Sequence, residues 1–257
     1  MKITKVSNYE AMSEYGAEII FKTVSEQLAT GGVCNLGLAT GNTMIRLYEL
    51  LAGKFNKACT DLSRLSTFNL DEYVGPNGSE IPESHPLSYR KYMNENLFNR
   101  FESKLNFSLD RTFYPPSKDS ASYDVKIKNA GGLHLQLLGI GFNGHIAFNE
   151  PMSAGEISVK DFAALPSRII NLKPLTIATN ARLTAGNDKS LMPLQAITMG
   201  MAPILLARKI LLLACFPEQE CPLKSLIANP ATPELPASYI KDCKDTEIVY
   251  TADVIKL

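Results

Sequence analysis

The stretch Leu133–Pro151, LHLQLLGIGFNGHIAFNEP, limits the possible folds more than any other part of the chain. It opens with an apolar run, Leu133 to Ile140, of the kind that fills a strand buried on both faces. Such strands belong to parallel sheets covered by helices. The run breaks at Gly139-Ile140-Gly141-Phe142-Asn143-Gly144, a glycine-spaced turn that lets the backbone bend sharply and approach a ligand. His145 and Glu150 follow. An imidazole and a carboxylate just beyond such a turn are the parts of an acid/base device. The plainer reading is a tight strand-to-helix connection with one surface histidine.

The rest of the chain alternates in the same manner. Met1–Val6 reads as an edge strand, and Tyr9–Thr30 as an amphipathic helix with apolar residues at three- and four-residue steps. Val33–Leu38 is a buried strand, followed by a helix through Met44–Leu51; Leu65–Leu70 is another strand. Helices are expected over Ser88–Phe98, Ser122–Asn129, Met201–Ala207 and Pro222–Ala228, and strands over Lys209–Cys215 and Ile248–Thr251. Segment 110–120 is expected to be irregular, and the stretch after Pro151, through Pro166 and Pro174 to Asn180-Ala181-Arg182 near its end, has few periodic cues and is expected to form loops and short strands. Strands alternating with helices predict the α/β class: a single domain over residues 1–257, with an open, mostly parallel sheet flanked by helices.

Two further stretches suggest chemistry. Thr40-Gly41-Asn42-Thr43 joins a buried strand to a helix. Backbone N–H groups and the helix dipole there can cradle an anion, although no lysine makes it a nucleotide loop. Asp71-Glu72 stands at the end of the Leu65–Leu70 strand, where ligands bind in open α/β sheets; alternatively these acids cap a following turn or helix. Lys plus Arg and Asp plus Glu both number 26, so no net field attracts nucleic acid or an anionic membrane. An anionic ligand therefore needs a local site. Three histidines without a His/Cys cluster argue against a metal. Five cysteines with no CxxC pair, no leader-like N-terminus and no bilayer-length apolar run are what a cytoplasmic protein is expected to show.

Taken together, LGLATGNT (Leu36–Thr43), TFNLDEYVG (Thr67–Gly75) with HPLSY (His85–Tyr89), and LGIGFNGHIAFNEP (Leu138–Pro151) resemble the glucosamine-6-phosphate deaminase/isomerase family. ITMGM (Ile197–Met201) and LPAS (Leu235–Ser238) follow in the family's order. The resemblance implies a Rossmann-like fold and conversion of an amino-sugar 6-phosphate to the ketose phosphate with release of ammonia, without a cofactor. By position, Asp71 matches the base that moves a proton between C2 and C1 through an enediol, and Glu72 its neighbouring acid. His145 matches the histidine that opens the sugar ring, and Glu150 the carboxylate that orients it. Thr40, Gly41, Asn42, Thr43 and Arg182 match the phosphate site.

Three departures stand out. Asn143 occupies a position where the family commonly has aspartate; an amide holds a hydrogen bond but gives an imidazolium no charge, so Asn143 is expected to join His145 and Glu150 in opening the ring, as a tuning rather than a loss. Phe216-Pro217-Glu218-Gln219-Glu220 stands where a phosphate-binding lysine is common, leaving Lys224 as a substitute about one helical turn on. Segment 152–173 does not reproduce the family's allosteric-site pattern, so no such regulation is expected. Galactosamine 6-phosphate is the alternative substrate. 6-Phosphogluconolactonase activity and a non-catalytic sugar-phosphate sensor are the rival functions, and a homo-oligomer is left open.

Overall fold

The computed structural model describes all 257 residues, Met1–Leu257. The chain begins β1 (Lys2–Val6), α1 (Tyr9–Ala29), β2 (Cys34–Leu38), α2 (Ile45–Ala58), β3 (Leu65–Asn69), β4 (Asp71–Val74) and α3 (Tyr89–Asn96). It continues through β5 (Thr112–Phe113), α4 (Ala121–Asn129), β6 (Leu135–Leu138), α5 (Val159–Ala163), β7 (Arg168–Asn171) and α6 (Pro174–Thr184). The last elements are β8 (Gln195–Thr198), α7 (Met201–Leu205), β9 (Ile210–Ala214), α8 (Glu220–Ala228) and β10 (Thr246–Thr251).

Seven strands form one sheet in the order β1-β10-β9-β6-β2-β3-β5, and every neighbouring pair is parallel. Every residue of β2, β3, β6 and β9 is buried, so helices cover both faces; β9 is apolar throughout, and the others bury Asn35, Ser66, Thr67, Asn69 and Gln136 as well. α1 shows how the helices cover them. Asn8 caps it by accepting from the Ala11 N–H, and Met12, Gly16, Ile20, Val24 and Leu28 make a buried stripe at four-residue steps. No helix is long and apolar enough to cross a membrane.

From β2 the chain moves to β3 and β5 on one side, then returns to β6 on the other. The β2/β6 boundary is therefore the topological switch point, where the diverging connections leave a crevice at the carboxyl ends of the strands.

Beside this sheet lies a second, antiparallel one, in the order β4-β8-β7. Several sequence expectations are corrected here. Asp71 and Glu72 do not end the Leu65–Leu70 strand; they begin β4, which pairs with β8 through Asp71↔Thr198 and Glu72↔Ile197. Segment 152–173 holds α5 as well as β7, and segment 110–120 includes the edge strand β5. The stretch carrying Asn180, Ala181 and Arg182 is helical (α6), with Pro174 at its first turn, where the missing N–H costs nothing.

Candidate active site

A cleft of about 840 Å³ opens at the switch point. Its walls come from the turns after β2, β3, β6 and β9, and α6 forms its roof with Leu175, Thr176, Thr179, Asn180 and Leu183. Thr40, Gly41, Asn42, Thr43, Asp71, Asn143 and His145 all line it. The structure thus brings together residues up to about a hundred positions apart in sequence.

The turn after β2 is aimed by hydroxyls that sequence reasoning missed. Tyr48 donates to the Ala39 carbonyl, Tyr92 to that of Gly41 at 2.8 Å, and Tyr9 to that of Asn42 at 3.0 Å. In a planar trans peptide the next N–H points opposite to the carbonyl. The amides of Thr40, Asn42 and Thr43 are therefore turned away from the tyrosines. Gly41 has φ +103°, which disfavours an L side chain, and nothing lies within 4 Å of where a Cβ would stand. The result is an open, amide-lined concavity just before α2.

His145 is held by a relay. Glu150, 6 % exposed, accepts from Asn143 Nδ2 at 2.7 Å, and Asn143 Oδ1 stands 2.7 Å from His145 Nδ1. A carboxylate only accepts, so it fixes the amide with its NH₂ toward Glu150 and its oxygen toward the ring. That oxygen in turn requires Nδ1 to carry the proton, which leaves the lone pair on Nε2. Glu150 itself is only 3.7 Å from Nδ1. Burial pushes the Glu150 carboxyl up, but its interactions with His145 and Asn143 outweigh this and bring it down to about 2. Its second oxygen accepts the Lys173 N–H at the start of α6, at 3.1 Å. A Cβ on residue 141 would stand 2.3–2.5 Å from the imidazole atoms, so only glycine leaves room for the ring.

The rest of the motif shapes the turn. Ala147 has φ +49°, an uncommon conformation for a residue with a side chain. Around it, buried Asn149 donates to the carbonyls of Ile146 and Met199, and the Phe148 N–H is accepted by Thr198 Oγ1. Asn149 and Thr198 are thus supports that the motif pattern contained without revealing their task.

Asp71 is buried at the edge of the cleft with 6 % exposure. Burial, then the charge of Glu72, raises its carboxyl well above the usual range. Glu72 points elsewhere. It accepts from the N–H groups of Tyr73, Tyr89 and Arg90 and from the Ser88 hydroxyl, capping α3, and it does not line the cleft. The expected substrate contact for Glu72 is therefore replaced by a structural one, because adjacent strand residues face opposite ways. Arg182 is also outside the lining: its Nη2 donates to Glu218 Oε1 at 2.7 Å. Lys224 pairs with Glu220 at 2.7 Å and does not reach the cleft. No lysine or arginine lines it; Phe216 and Gln219 stand there instead.

An open parallel sheet with an acid/base relay and an amide-lined turn over its switch point defines an α/β enzyme site built for proton transfer on a small molecule. Comparison with known proteins narrows the class. Residues 7–155 match the family model described as glucosamine-6-phosphate isomerases/6-phosphogluconolactonase. A glucosamine-6-phosphate deaminase of Clostridium perfringens is 35 % identical, with 100 % of this chain and 99 % of that protein aligned. One from Clostridium tetani is 40 % identical over 83 % of this chain and 81 % of its own length. Among solved structures, a monomeric glucosamine-6-phosphate deaminase matches with a TM-score of 0.86 at 28 % identity, covering 99 % of this chain and 98 % of that one. A 6-phosphogluconolactonase from Thermotoga maritima matches at 0.69 with 18 % identity, over 97 % and 98 % of the two chains, which is a likeness of fold. The chain belongs to the glucosamine-6-phosphate isomerase/6-phosphogluconolactonase family.

Proposed function

We propose that the protein is a glucosamine-6-phosphate deaminase, converting glucosamine 6-phosphate and water to fructose 6-phosphate and ammonia. The observation that carries this reading is the meeting of Asp71 and His145 on one cleft, with the Asn143–Glu150 relay behind the histidine. Full-length identity to deaminases, against a likeness only of fold to the lactonases, supports it.

His145 Nε2 takes the proton of the anomeric hydroxyl as the ring C–O bond breaks, and returns a proton to the ring oxygen. The product is the open-chain aldehyde. Asp71 then removes the proton from C2, and the electrons move toward C1 to give an enolamine, because C2 carries nitrogen. Return of the proton to C1 leaves C2=NH, and water adds there and expels ammonia. Asp71 suits a base because burial without a pairing cation leaves it proton-hungry. The Thr40–Thr43 turn holds the phosphate through its amides and the positive end of α2.

Ammonia release with glucosamine and galactosamine 6-phosphates, measured side by side with lactone hydrolysis, tests the assignment. Release from neither amino sugar would end the deaminase reading. The aiming of the turn has its own consequence. Tyr92→Phe deletes the hydroxyl on the Gly41 carbonyl, at a typical hydrogen-bond contribution of about 1 kcal/mol. KM is expected to rise about fivefold, with kcat less affected, in steady-state kinetics.

A further inference from the structure

Arg182 and Glu218 form a pair that the reaction above does not use, and it stands at the mouth of the cleft. Arg182 lies on α6 between Asn180 and Leu183, both of which line the cleft. Its guanidinium is directed to Glu218 Oε1, at 2.7 Å, and lies over the Phe142 ring at 5.6 Å. Glu218 sits in the short turn Pro217–Gln219, and the cleft-lining residues Phe216 and Gln219 flank it. The rim cation is thus held by a carboxylate presented from the cleft wall itself.

Arg182 and Glu218 side chains are 50 % and 39 % exposed, a setting in which an ion pair contributes little and opens readily. A phosphate ester near neutral pH carries about one and a half to two charges and three acceptor oxygens. It is the stronger partner for a planar guanidinium fork. We propose that Glu218 is an internal competitor for Arg182: it occupies the guanidinium in the free enzyme, and the phosphate of the substrate takes its place. Glu218 then sets the affinity of the cleft for phosphate esters. This rests on the reading of the cleft as a sugar-phosphate site.

The test uses wild type, Glu218→Gln, Arg182→Ala and the double variant. Each is assayed with glucosamine 6-phosphate and titrated calorimetrically with glucitol 6-phosphate, which carries the phosphate but no carbonyl to react. Glu218→Gln is expected to lower KM and Kd about three- to fivefold, with the change in KM rather than kcat. Arg182→Ala should raise both constants, and in that background Glu218→Gln should have no effect. An equal gain in the Arg182→Ala background means simple charge repulsion and overturns the competition. Unchanged or raised constants in Glu218→Gln overturn it as well. If wild type releases no ammonia yet Kd falls in Glu218→Gln, the deaminase reading fails and the competition stands. Failure of every protein to bind glucitol 6-phosphate, with KM unchanged in Glu218→Gln, overturns the competition, while the deaminase reading falls only if ammonia release is absent.

Discussion

Asp71→Asn is expected to lose nearly all ammonia release and, at neutral pH, to melt at a higher temperature than the wild type. Removing the proposed base for the C2 proton should cost about 10²- to 10⁴-fold in kcat, the usual contribution of a positioned proton carrier. The stability gain follows from the environment of the same carboxyl. Burial and then Glu72 raise its folded-state pKa above the unfolded value. A carboxyl shifted that way favours folding below its unfolded pKa, and that contribution is lost as pH rises through the folded one. The cost to the wild type therefore grows as pH rises above the unfolded pKa, and asparagine bears none of it. By the same shift, the acid limb of kcat/KM should turn over above about 4, the ordinary carboxylate value. Thermal melts and a pH profile measure both. An Asp71→Asn protein that is inactive and no more stable than wild type would contradict the account of the buried charge.

Glu150→Gln carries the second large effect. In the wild type both carboxylate oxygens face donors, Asn143 Nδ2 and the Lys173 N–H. A glutamine offers one oxygen and one NH₂ group, so one of those donors must lose its acceptor. If the NH₂ faces Lys173, the start of α6 is disturbed. If it faces Asn143, that amide turns over, presents NH₂ to His145 Nδ1 and moves the imidazole proton to Nε2. The ring nitrogen needed to accept the anomeric proton is then blocked. A fall in kcat of about 10²- to 10⁴-fold is expected, as when an orienting carboxylate is lost from a triad. Nitrogen NMR of the imidazole reads the tautomer independently of turnover. Near-normal kcat with the proton still on Nδ1 would sink the relay.

The sheet and both glycine turns were legible in the sequence because each is local: an apolar run, then glycine, then polar residues at the strand end. The Asn143, His145 and Glu150 grouping was legible for the same reason, lying within eight positions. The order of the relay was not, since sequence cannot say that the amide stands between the carboxylate and the ring. The hydroxyls of Tyr9 and Tyr92 lie 33 and 51 positions from the carbonyls they hold, and nothing local marks them. α6 was obscured by its threonines and its proline, which also suit loops. For Arg182 the family match supplied a contact, but its partner Glu218 is a property of this chain's own departure.

The β4–β8 ladder has a kinetic meaning. Within the dipeptide Asp71-Glu72, one carboxylate faces the cleft and the other caps a helix, and only the alternation of the strand separates them. A slip of one residue against β8 would send Glu72 to the cleft and Asp71 to the helix, exchanging a base for a shorter, misplaced cap. The four bonds that Glu72 accepts pin the strand against that slip. If Asp71 is the base, strand register behaves here as a rate parameter, and the residue that guards it lies outside the cleft.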